Sequence, residues 1–184
     1  MTQPSDFENE PVPSQSKSSL PTTLLIVGGV GCGCLSLLVI LGIISAIALP
    51  SLLSKVNKAQ QAEAKTYVGS MARAQQAYYL EKGTFSDSIE NLNIGINSDT
   101  NNYRYQIVPQ AGKKSVMITA QAKSERLKSY TGAVFAVKKG QEVITIGGIC
   151  ETDRPTTTPP AMPKLSSLDS PSLNCPPGSH SLGK

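Results

Sequence analysis

The chain has 184 residues, 39% of them hydrophobic and only 5% aromatic, with no Trp and a formal charge of +4. Much of the apolar content sits in one segment, so the remainder builds a small core and at most one further domain. A mildly basic domain could meet an anionic partner such as nucleic acid or polysaccharide, yet its lysines fall in short clusters beside turn signals and read first as solvated loop charge.

Residues 1–23 read as a disordered N-terminal tail. They are rich in Ser, Thr, Pro and acids, and offer too little apolar surface to offset the entropy of ordering. The acidic tail lacks the basic n-region of a secretory signal.

From Leu24 to Leu53 the chain is uncharged and apolar, with no ionised side chain between Lys17 and Lys55. A bilayer core takes about 20 apolar residues of helix to cross, so residues 24–54 are predicted as a transmembrane helix. Gly28, Gly29, Gly31 and Gly33 cluster at its start, and Gly29 to Gly33 has the spacing that lets two membrane helices approach closely. Cys32 and Cys34 have no His, Asp or Glu nearby and read as small packing residues. Pro50 lacks an N–H for the carbonyl of Ala46, which predicts a kink. Ala46-Ile47-Ala48 also has the form of a signal-peptidase site, which would release the domain from Leu49 on. A lipoprotein reading of Val30-Gly31-Cys32 is weaker, because the longer apolar run follows the Cys.

After Pro50 the helical pattern continues. Ala64, Tyr67, Met71, Ala74 and Tyr78 recur every three or four residues, with Lys65, Arg73, Gln75 and Gln76 between them. This predicts an amphipathic helix over 55–82, stopped by Gly83. A continuous helix from Leu24 to Glu81 would extend about 85 Å at 1.5 Å per residue.

The rest of the domain, 55–150, reads as sheet from about residue 102. Tyr103, Tyr105 and Ile107 alternate with Arg104 and Gln106, and Val116 to Ala122 follows a turn at Ala111-Gly112-Lys113. Ser129 to Val137 and Val143 to Ile149 form a second hairpin around Lys138-Lys139-Gly140-Gln141. The fold class is therefore α+β, a long N-terminal transmembrane-to-extracytoplasmic helix packed on a four-stranded antiparallel sheet.

Residues 151–184 hold seven of the 13 prolines and predict an extended, weakly ordered tail. Cys150 and Cys175 flank its Pro-rich part, and a disulfide between them would close a loop of about 25 residues, worth about 3 to 4 kcal/mol. Such a bond places the domain in an oxidising, extracytoplasmic compartment. The single His, His180, reads as a solvated tail residue, and no nucleophile elbow, phosphate loop, paired acids or metal-ligand cluster accompanies it. No catalytic residue, cofactor or metal is predicted, and the chain reads as a non-enzyme.

The run LLVILGIISAIALP from Leu37 to Pro50, with the following SLLSKVNKAQQAEAKTYVGSMARAQQAYYLEKGTF to Phe85, resembles the N-terminal helix of bacterial type IV pilins and pseudopilins, especially the pilin-like G/H group. Gly42, Ala46, Ala48 and Pro50 fall where that family has its Gly, small residues and helix-breaking Pro. SYTGAVFAVKKGQEVITIGGIC, ending at Cys150, is similar to the same group. The resemblance covers about two thirds of the chain and neither tail. It implies a long helix on an antiparallel sheet, helices bundled in the core of an extracytoplasmic filament, and partners among other pilin-like subunits or pilus and secretion assembly proteins. It also implies a cleavage point between Gly28 and Gly29. There the family begins its mature chain with Phe or a similar residue and has Glu as the fifth residue; this chain has Gly29 and Gly33 instead. Without cleavage no free amine enters the membrane and no carboxylate is needed there.

Lys55, Lys58, Lys65 and Arg73 follow the helix while Lys17 precedes it, which by the positive-inside rule alone would keep the domain in the cytoplasm. Long domains translocate largely regardless of charge, and the cysteine pair and the resemblance both favour the other side. The expectation is a single-pass inner-membrane protein, its N-terminus cytoplasmic and its domain extracytoplasmic, serving as a structural subunit or assembly component of a type IV pilus or type II secretion system. The alternative is a stand-alone anchored domain that binds an anionic ligand, DNA or polysaccharide, through Lys113, Lys114, Lys138 and Lys139.

Overall fold

The computed structural model describes the backbone of residues 22–166 and 172–183, with side chains described at 37–43, 52–166 and 172–183. One helix, α1, runs Thr22–Lys82. The chain divides into two compact units, Met1–Pro50 and Ser51–Lys184. The first is helical throughout its described part. Its described side chains Leu37, Leu38, Val39, Ile40 and Ile43 are all more than half exposed. Among the described residues no helix is long and apolar enough to cross a membrane. The disordered tail expected over 1–23 lies outside the described residues up to 21, and Thr22 and Thr23 are helical. The surroundings of Gly28, Gly29, Gly33 and Pro50 also lie outside them.

The second unit is the folded domain. Its part of α1 ends where Gly83 takes φ +69° and donates its N–H to Tyr79 O at 2.8 Å. Glycine enters that left-handed conformation without steric cost, so it terminates the helix as its position suggests. Strands β1 (Tyr103–Pro109), β2 (Ser115–Ala122), β3 (Tyr130–Lys139) and β4 (Glu142–Thr152) follow as an antiparallel meander. Two short strands, β5 (Lys164–Leu165) and β6 (Leu173–Asn174), pair with each other. The last strand, β7 (Ser179–Leu182), joins β4, giving the order β1-β2-β3-β4-β7.

The sheet is thus five-stranded, not four-stranded as expected, and the fifth strand comes from the segment expected to be a weakly ordered tail. Residues 153–163 cross the face of the sheet opposite α1. Thr131 donates its hydroxyl to Pro160 O at 2.6 Å, Ser129 donates to Thr156 O at 2.7 Å, and Pro160 and Pro163 are buried. Proline cannot join a ladder as a donor, but its carbonyl accepts, so a Pro-rich strap stays ordered by lending carbonyls to β3. This is why β3 is buried continuously from Tyr130 to Val134.

The core lies between α1 and the other face. Ala64, Val68, Met71 and Ala72 of the helix meet Val116, Ile118 and Ala120 of β2 and Tyr130 and Val134 of β3. The buried stripe of the helix is rotated slightly from the predicted one: Val68 and Gln75 are fully buried, whereas Tyr67, Ala74 and Tyr78 are only half-buried. Gly132 sets the closest approach, because a Cβ there would meet Val68 Cγ1 at 2.7 Å.

Candidate functional site

Three features of the domain bear on what it does: the polar seam beneath α1, the disulfide-bound strap, and the end of the sheet that carries the hairpin tips.

The seam is built on a tyrosine cluster. Tyr103, Tyr105 and Tyr130 are 0–1% exposed, and the Tyr103 ring lies 6.1 Å from Tyr105 and 6.2 Å from Tyr130. Their hydroxyls find acceptors at the rim of the core: Tyr103 donates to Lys128 O at 3.0 Å, Tyr105 reaches Glu63 at 3.5 Å, and Tyr130 reaches Gln61 at 3.4 Å. Burial, with the carboxylates of Glu63 and Glu151 nearby, pushes all three phenols above their ordinary range. They remain neutral donors, which is what a core ring with a polar tip requires.

Glu63 also accepts from Thr100 Oγ1 at 3.0 Å and Asn102 Nδ2 at 3.3 Å, fastening the helix to the connection that leads into β1. On β4, the buried Glu151 lies 2.7 Å from Lys128 and 2.7 Å from Lys65 of α1. The Lys65 contact is an ion pair between the helix and β4. Burial raises the Glu151 pKa, but the two lysines outweigh it and hold the carboxyl below its usual value. Lys65 also lies 5.8 Å over the Tyr130 ring.

At the far end of the helix, Gln75 is fully buried. It donates to Ser86 O and accepts from Ser86 N, both at 2.9 Å, closing the turn after the helix as a paired strand would. The neighbouring Gln76 donates to Thr145 O of β4 at 3.3 Å.

Cys150, on the strap side of β4, is bonded to Cys175 with Cα atoms 5.7 Å apart. The bond returns the chain from the strap to the sheet just before β7. His180 sits on β7, not in a loose tail, and its Nδ1 is 2.7 Å from Asp153 Oδ1.

The meander brings the β1–β2 and β3–β4 turns to the same end of the sheet, where Ala136 donates its N–H to Lys114 O at 2.8 Å. Lys113, Lys114, Lys138 and Lys139 are all exposed there, with no ion pair to them among the described residues. Two lysines at the other end are paired: Lys123 with Asp99, whose pKa that hydrogen bond lowers, and Lys128 with Glu151. Among the described residues no group of His, Cys, Asp and Glu could hold a metal ion.

Sequence reasoning placed the disulfide but missed Gln75, Glu63 and Glu151. A polar residue in an amphipathic repeat is read as solvent-facing, and only the partner 11 residues away, Ser86, reveals Gln75 as buried.

A protein-family model described as type IV pilin-like G and H matches residues 61–176. The matched span runs from the helix seam through the sheet to the disulfide. No curated protein matches the chain. No solved structure matches it.

Proposed function

Because the chain belongs to the type IV pilin-like G and H family, we propose that it is a membrane-anchored structural subunit or assembly component of a type IV pilus or type II secretion system. The family carries a structural role and association with pilin or pilus assembly subunits; the anchor and the system are our reading. The observation that supports it most is the uncharged run before Lys55, whose described side chains Leu37, Leu38, Val39, Ile40 and Ile43 are all more than half exposed. A surface of that kind needs lipid or other helices around it.

In this reading the helix crosses the inner membrane once, bends at Pro50, and carries the domain outside, where the Cys150–Cys175 bond is stable. The chain keeps its N-terminal segment. A mature chain starting at Gly29 would bury an amine with no acid at Gly33 to answer it, at about 2.5 to 3.5 kcal/mol for a charge near the membrane centre. Any part it plays in a filament is then minor or non-polymerising. Fractionation tests the anchor: alkaline carbonate should leave the chain in the membrane pellet, and protease added to intact spheroplasts should digest the domain. Release by carbonate would refute the anchor.

A second reading is favoured by four exposed lysines at one sheet end, with no ion pair to them among the described residues, which suit an anionic polymer such as DNA or polysaccharide. Binding that weakens steeply with salt and is lost in a Lys113, Lys114, Lys138 and Lys139 to Ser variant would support it.

A further inference from the structure

Two lysines of α1 have no role in the fold. Of the basic residues that follow the uncharged run, Lys65 is taken by Glu151, and Arg73 bonds to Ser70 at 3.3 Å. Lys55 and Lys58 are exposed, with no ion pair to them among the described residues. Their stretch of helix also carries Leu52, Leu53 and Val56, each more than half exposed. The positive-inside rule disfavours lysines so close to an anchor on its outer side, which is where the proposed orientation puts them.

The helix enters the domain at one end of the sheet. Tyr130 reaches Gln61 where β3 begins, Tyr105 reaches Glu63 near the start of β1, and Lys65 meets Glu151 near the end of β4. This end also carries the β2–β3 turn and the start of the strap, which Thr156 ties together by donating its N–H to Leu127 O at 2.9 Å. Arg126 and Arg154 are exposed on these two loops, again with no ion pair to them among the described residues. The acids here are mostly engaged: Asp99 with Lys123, Glu151 with Lys65 and Lys128, Asp153 with His180, and Glu63 with Thr100 and Asn102. Glu125 is exposed beside Arg126. The balance leaves a positive rim, with Lys55 and Lys58 on the helix and Arg126 and Arg154 on the loops.

Chain length keeps that rim close to lipid. Gln61 lies eight residues beyond Leu53, the last apolar residue of the uncharged run, so this end of the sheet is at most about 12 Å past it, whatever bend Pro50 makes. Headgroups add about 5–8 Å to each side of the hydrocarbon core, and the Debye length is about 8 Å at physiological ionic strength. We propose that the rim binds acidic phospholipid headgroups on the outer face of the membrane, so that the domain rests on the lipid instead of swinging freely on its helix. This rests on the anchor proposed above. The headgroup phosphates supply the negative charge that Lys55 and Lys58 do not find in the described domain, and each basic residue held near such a surface strengthens the contact about fivefold.

The test uses the full-length chain in lipid nanodiscs, with Cys32→Ser and Cys34→Ser and the Cys150–Cys175 bond retained. A fluorophore is placed on Asn101→Cys at the rim end or on Gln141→Cys at the hairpin-tip end, both exposed positions. Energy transfer to a headgroup-labelled acceptor reads how close each end lies to lipid. Changing phosphatidylcholine for a mixture with phosphatidylglycerol should raise transfer from Asn101→Cys about twofold and leave Gln141→Cys unchanged. Lys55→Gln, Lys58→Gln, Arg126→Gln and Arg154→Gln together should abolish the rise, as should high salt. At matched ionic strength, inorganic phosphate should act no more strongly than chloride. An intact Cys150–Cys175 bond in peptide maps certifies each variant as folded. Transfer that ignores phosphatidylglycerol, or a rise that survives the four substitutions, would overturn the rim and leave the anchor standing. A rise at Gln141→Cys instead, or a specific effect of phosphate that marks a free-anion site, would also overturn it. A chain that floats with vesicles of neither composition would remove anchor and rim together.

Discussion

Lys65 Nζ of α1 lies 2.7 Å from Glu151 Oε2 of β4, and Lys128 holds the other oxygen of the same buried carboxylate at 2.7 Å. This ties the helix to the strand that also carries the disulfide, one residue before Glu151. Lys65→Ala should cost about 1–2 kcal/mol while Lys128 remains. Removing both lysines strands a buried charge and should cost about 3–5 kcal/mol. Chemical denaturation of the two variants checks the order.

The same triad predicts a pH dependence. The folded-state pKa of Glu151 lies below its ordinary 4.5. Its stabilisation is therefore fully present above pH 4.5 and is lost as pH falls through the folded value. Glu151→Gln should flatten that acid limb while leaving the protein less stable at neutral pH. Thermal melts between neutral and strongly acidic pH read both effects.

Gln75 and Ser86 exchange two 2.9 Å hydrogen bonds in a site closed to solvent. Gln75→Leu leaves both Ser86 backbone groups unpaired and should cost about 2–4 kcal/mol. Gln75→Glu sets an oxygen against Ser86 O, so it should be worse at neutral pH and partly rescued in acid, where a protonated carboxyl donates again. A stability profile with no acid rescue would contradict this geometry.

Gly132→Ala sets a methyl 2.7 Å from Val68 Cγ1 in a fully buried site. Overpacking of this kind costs about 1–3 kcal/mol. Val68→Ala in the same chain should recover part of the loss, so the two changes should couple in a double-mutant cycle.

Cutting the Cys150–Cys175 bond with Cys175→Ser should destabilise the domain by about 2–5 kcal/mol. The loss should be local, because α1 and β1–β3 pack independently of Cys175. Limited proteolysis should cut within residues 153–176 well before the remaining core.

Much of this fold was legible in the sequence. Alternation of Tyr103, Tyr105 and Ile107 with polar neighbours marked β1, Gly83 marked the helix end, and Cys150 and Cys175 marked the tether. The strap was not legible, because its order comes from Pro160 and Thr156 carbonyls accepting hydroxyls of distant residues, and composition does not report that. The sequence Ser179-His180-Ser181-Leu182 carries almost no apolar alternation, so β7 is a strand by virtue of the edge it meets. The rotation of the helix stripe toward Val68 follows from Gly132, a position 64 residues later in the numbering that admits the valine.

Intact mass and N-terminal peptide mapping of the protein extracted from its native membrane test the central claim most directly. The account predicts a membrane-retained chain with peptides reaching upstream of Gly29 and a Cys150–Cys175 linked pair. A chain beginning at Gly29 would show prepilin-type processing and contradict retention of the N-terminal segment. A soluble chain beginning at Leu49 would show that the apolar helix is removed and contradict the anchor itself.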